Sequence, residues 1–166
     1  DAMKRREVYA TTGSRIAVRF FGGWNYQADD IHSPTYLDTA YANGVPMGGD
    51  LTQAPKDAAP KFIVAADKDP DGASLDRVQV VKGWLDRKGE LHEKVYDVAW
   101  SGHRKADAET GKVPAVGNTV DVEQATYKNT IGRASLATVW QDPDFDRKER
   151  AFYYVRVLEI PRPRWT

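Results

Sequence analysis

The strongest pattern in the chain is Leu75 to Ser101, LDRVQVVKGWLDRKGELHEKVYDVAWS, in which two runs rich in Val, Trp, Tyr and Leu flank Asp86-Arg87-Lys88-Gly89. A short polar break closing on glycine is what a β-hairpin needs between its arms. Val78, Val80 and Trp84 alternate with Gln79, Val81 and Leu85 in the first arm; His92, Tyr96, Val98 and Trp100 share parity in the second. Apolar side chains thus fall on both faces, which predicts a central hairpin of an antiparallel sheet.

Other runs read the same way. Ile16, Val18 and Phe20 alternate with Arg15, Ala17 and Arg19, the period of a strand with one buried face. Phe62 to Ala66 is apolar throughout, which predicts a central strand, and Ser135 to Gln141 predicts another. Arg150 to Ile160 sets Phe152, Tyr154 and Leu158 opposite Tyr153, Val155 and Val157, and Pro161 and Pro163 end it. Asp1 to Glu7 reads as the end of a helix from a preceding domain, with Lys4, Arg5 and Arg6 beside its last carbonyls. Thr35 to Tyr41 and Val45 to Leu51 are the ordered pieces expected in the long connection from Gly22 to Pro60. Thr119 to Val122 predicts a short strand, Glu123 to Lys128 one helical turn, and Asp142-Pro143-Asp144 a helix start with Asp142 as N-cap. About six to eight short strands with little helix predict a mainly β fold. The expected architecture is one antiparallel β-sandwich domain over residues 1–166, immunoglobulin-like or jelly-roll-like, with a short N-terminal helix and long loops.

Composition narrows the partners. The 24 basic and 24 acidic residues cancel, so no net field draws in nucleic acid or an anionic membrane. Cysteine is absent, which excludes a disulfide framework and thiolate metal sites. No apolar run approaches the ~18 residues of a membrane span, and no apolar stretch follows the charges of Asp1 to Arg6 as a signal peptide requires.

Candidate chemistry is sparse. Asp67-Lys68-Asp69-Pro70-Asp71-Gly72 matches the opening of a calcium loop, but Val78 stands where the bidentate glutamate belongs, so a plain Asp/Pro/Gly turn is expected. His32, His92 and His103 lie far apart in sequence, and there is no phosphate loop or nucleophile elbow. No metal or other cofactor is expected in this chain. Trp24, Tyr26 and Trp84 are the aromatic candidates for stacking against a ligand such as a carbohydrate, the alternative being that they fill the space between sheets.

Four stretches go beyond generic sandwich grammar: RREVYATTGSRI from Arg5, VPMGGDL from Val45, Asp67 to Trp84 ending in DRVQVVKGW, and RAFYYVRVLEIPRPRW from Arg150 to Trp165. They resemble a bacterial family of unknown function, numbered 3604 among such domains, across essentially the whole chain. The resemblance implies a longer parent whose N-terminal part is similar to PHP-type and carbaryl-hydrolase-like metal-dependent hydrolases, with a divalent metal held by a His-x-His motif and further His and Asp ligands. None of those ligands has a counterpart here, so the implied catalytic centre maps onto no residue of this chain. What the resemblance implies instead is a non-catalytic accessory domain whose partner is the preceding catalytic domain of the same polypeptide, in an exported, periplasmic parent. Thr11, Thr12, Gly13 and Arg15, in the turn that follows the helix, are then the residues expected at the edge of the parent's active site.

Overall fold

The computed structural model describes residues 1–163 and forms two antiparallel sheets. β1 (Ala17–Gly23), β2 (Gly44–Pro46), β3 (Lys61–Asp67) and β6 (Ser135–Gln141) make one sheet in the order β2-β1-β3-β6. β4 (Leu75–Leu85), β5 (Leu91–Trp100) and β7 (Arg150–Glu159) make the other in the order β5-β4-β7. This is the expected β-sandwich. Trp165, in the last of the family-like stretches, lies outside the described residues.

Alternation decides which side chains meet between the sheets. Phe20 of β1, Phe62, Val64 and Ala66 of β3 and Leu136 of β6 face inward against Leu75, Val78 and Val80 of β4. Phe62 is the hub, with its ring 5.3 Å from Phe20, 5.8 Å from Trp140 and 4.5 Å from Tyr153. The opposite parity of the same strands faces a second apolar layer. Phe21 and Ile63 pack with Tyr26, Ala40, Tyr36 and Leu37 beneath α1 (Tyr36–Asn43) and a 3-10 turn, Ala28–His32. That layer covers the outer face of the four-stranded sheet, which is why Phe62 to Ala66 of β3 are all apolar.

The hairpin forms as expected, with Trp84 opposite His92 and a bulge between Val78 and Gln79. The turn is built by Asp86, whose Oδ1 accepts the backbone N–H groups of Lys88 and Glu90. Only one arm is central, however: β4 lies between β5 and β7, while β5 is an edge.

Several local expectations change. Met3–Arg5 is a single 3-10 turn rather than the end of an α-helix, and it stops at Arg6, whose φ of 58° is left-handed. Thr119 to Lys128 contains only a turn closed by an Asp121–Thr126 bridge. No helix follows Asp142. Its buried Oδ2 takes Lys82 and the Tyr153 hydroxyl, and its Oδ1 accepts the Asp144 backbone N–H at 2.9 Å as a cap would, but the chain continues as a turn rather than a helix.

Candidate functional site

The two sheets close on one side and gape on the other. Where β5 approaches β6, the Tyr96 and Trp140 rings lie 4.9 Å apart. The segment after β6 is clasped there. Lys82 Nζ sits 2.7 Å from Asp142 Oδ2 and donates to the Asp144 carbonyl, while Asp144 Oδ2 takes Lys94 at 2.5 Å and the Tyr96 hydroxyl at 2.6 Å. The hydrogen bonds from Lys94 and then Tyr96 hold the Asp144 carboxyl below the usual range. Burial first, and the neighbouring aspartates second, push the Tyr96 and Tyr153 hydroxyls well above ordinary tyrosine, so both remain donors at neutral pH.

On the other side, β1 and β2 do not meet β7. Between them runs a cleft of about 1440 Å3. Its floor is apolar: Ile16, Val18, Phe20, Met47 and Phe62 on one wall face Tyr153, Val155 and Val157 on the other. Residues 8–13 form a strap along it. One end is fixed where Arg6 pairs with Asp50 at 3.0 Å and Gly48 lies against the Arg5–Arg6 backbone, too close for a Cβ. The other end is fixed by Ser14, whose buried hydroxyl donates to Glu159, itself paired with Arg162 at 2.9 Å.

The turn expected to matter is therefore held in a defined way. Arg15 N–H donates to Asp69 Oδ2 at 2.7 Å and Asp71 N–H to Asp69 Oδ1 at 3.1 Å. These two bonds, in that order, depress the Asp69 carboxyl below its ordinary value. Gly13 has φ of +100° beside the Arg162 guanidinium, a conformation that favours glycine. Thr11 and Thr12 stand exposed on the cleft wall, whereas Gly13 and Arg15 lie outside its lining. The calcium-like loop next to this turn already has a cation: Lys68 Nζ donates to the carbonyls of Asp69, Pro70 and Gly72 at 2.9 to 3.1 Å. With Lys68, Arg15 and Arg162 gathered there, the donor set does not fit a divalent metal.

The three aromatic candidates do not converge. Tyr26 is fully buried, its hydroxyl donates to the Ala40 carbonyl at 2.6 Å and its ring fills the space above Gly23 and Gly44. Burial, aided by Asp30, pushes that hydroxyl up to about 12. It therefore offers no face to a ligand, which corrects the stacking expectation for this residue: α1 covers it. Trp84 stacks on His92 at 5.1 Å with Lys82 Nζ 5.2 Å from its centroid, so its faces are engaged. Only Trp24 borders the cleft, tilted against Phe145 and donating to the Thr52 carbonyl.

Sequence reading missed the cleft itself. Its signal was β7, apolar on both parities as a buried strand would be, and yet an edge. Among the described residues, Asp86, Glu90 and His92 are the one trio whose ligand atoms come within metal-binding reach of one another. Both Asp86 oxygens are already used, by turn amides and by His92 at 2.9 Å, and these bonds keep its carboxyl depressed, His92 foremost.

The fold and cleft define a β-sandwich domain with a long apolar groove beside an edge strand. The chain belongs to the family described as Protein of unknown function (DUF3604), whose sequence model matches residues 1–166. Comparison with curated proteins gave no match, and comparison with solved structures gave none either.

Proposed function

We propose that this chain is a non-catalytic accessory domain that packs against a metal-dependent, PHP-like hydrolase domain preceding it in the same polypeptide. The observation that carries the reading is the strap at residues 8–13, pinned at Arg6–Asp50 and Ser14–Glu159, with Thr11 and Thr12 on the wall of the cleft. A segment entering from a preceding domain is held there against a large apolar surface, which is how covalently linked domains gain a fixed relative position. The metal and its chemistry belong to the preceding region. Around the turn this chain supplies cations and spent carboxylates, and its own role is to fix the strap.

The test compares the 166-residue chain with a longer polypeptide carrying the preceding region, assayed for hydrolysis of p-nitrophenyl phosphate with added manganese or zinc. The longer protein is expected to turn over and the short one not. Turnover by the short chain that is abolished by a chelator would sink the proposal.

A further inference from the structure

β7 is an edge of an uncommon kind. It runs ten residues, Arg150–Glu159, and among the described residues pairs only with β4. Sheet edges in natural proteins are short, interrupted by proline or bulges, or guarded by inward-pointing charge, because an unguarded edge recruits another strand. The edge across the cleft follows that rule: β2 has three residues and ends at Pro46. β7 does not. It contains no proline, glycine or lysine, and its inward positions Ala151, Tyr153, Val155 and Val157 carry no charge before Glu159.

The outward positions of β7 add a charge pattern. Phe152 and Tyr154 are 61% and 43% exposed, with Phe152 lying over Gly83, where no Cβ could stand. Arg150 and Arg156 flank them, and Arg147 lies beyond. Among the described residues none of these three arginines has a carboxylate partner: Arg156 donates only to Gln79 and Arg147 to the Ala54 carbonyl. Arg150 and Arg156 are six positions apart, about 20 Å along a strand.

We infer that the free edge of β7 and the adjoining cleft accept an extended polypeptide strand, apolar on its inward face and carrying two acidic residues six positions apart on its outward face. Main-chain hydrogen bonds to β7 supply affinity, the apolar floor selects the inward side chains, and Arg150 and Arg156 set register by charge. The inference stands apart from the accessory-domain reading, because it concerns what β7 binds rather than which domain the strap follows.

The probe is the peptide acetyl-Ser-Glu-Val-Thr-Val-Tyr-Val-Glu-Ser-amide, added to the 166-residue chain while backbone amide exchange is followed residue by residue. Saturating peptide is expected to slow exchange of β7 amides at least ~10-fold, leaving β2 unchanged; a single paired amide gains protection of this order. A peptide with lysine at both glutamate positions is expected to bind at least ~10-fold more weakly, and the Arg150→Glu, Arg156→Glu double variant to reverse that preference. Both arginines are exposed, so this variant keeps the fold. Unchanged β7 exchange at saturation overturns the inference, as does equal binding of the two peptides. Protection of β7 that appears without peptide and grows with protein concentration overturns it too, since the occupant is then a second copy. None of these outcomes bears on the phosphoester assay, and the assay does not bear on them.

Discussion

The two sides of the sandwich are built from the same kinds of residue and solve different problems. At the β5–β6 side, tyrosine, tryptophan, lysine and aspartate interlock across the gap: Tyr96 on Trp140, Lys94 and Tyr96 on Asp144, Lys82 on Asp142. At the β2–β7 side, aromatic and aliphatic residues reach the edge and stop, leaving a groove along which the strap runs. The first side spends its polar groups on one another. The second leaves Arg147, Arg150 and Arg156 facing outward without carboxylates among the described residues. A closed side secures the fold, and an open one leaves main-chain groups and apolar surface for something else.

The sharpest way to break this contrast is at Lys82. Its side chain is 3% exposed and that of Asp142 is not exposed at all. Removing one member of a buried ion pair leaves the other charge desolvated, at a cost of about 3–5 kcal/mol. Lys82→Met is expected to lower the unfolding free energy from urea titration by that much, and Lys82→Met with Asp142→Leu to recover part of it. A loss below about 1 kcal/mol would show that the clasp is wetter than its geometry implies.

A smaller effect separates the sides within one cross-strand pair. Val80 of β4 faces Val155 of β7; Val80 is fully buried, whereas Val155 is half-buried at the cleft. Val80→Ala is expected to cost about 2–3 kcal/mol, the transfer of two methyl groups plus a cavity, and Val155→Ala about 1 kcal/mol. Equal losses in denaturant titration would mean that the groove closes in solution.

How far this contrast could be read in advance depended on range. The hairpin, β1, β3 and β7 were legible because two-residue periodicity is local, and β3 reads as central because Phe62 to Ala66 are all apolar. Asp142 misled because an Asp-Pro pair has the local grammar of a helix start, while Lys82, its actual partner, lies 60 residues upstream. Tyr26 misled for the same reason: nothing near it in sequence announces that α1 will cover it. The turn at Thr11 to Arg15 was legible as a turn, but its anchors, Asp69, Glu159 and Arg162, are distant in the chain, so what holds it was not. The cleft was least legible of all, because a gap between sheets is a property of strands that do not meet.

The subtlest test concerns the strap's far anchor, and it runs on pH. Asp69 accepts the Arg15 and Asp71 amides with Arg15 and Arg162 close by, so its carboxyl titrates below the ordinary unfolded value of about 3.9. A depressed folded value means stability fully present above the unfolded pKa and lost as pH falls through the folded one. The anchor is therefore expected to hold unchanged from neutral pH down to about 4 and to weaken below it. The clasp carboxylate Asp144, depressed by Lys94 and Tyr96, has the same sign, so a global acid melt would not tell the two sides apart. The Arg15 amide proton does, because its shift reports the Asp69 carboxylate directly. In Asp69→Asn that titration should vanish while the clasp's acid loss remains. An Arg15 amide titrating at about 4 or above would mean that the turn opens freely in solution, and the strap would then be no fixed wall of the cleft.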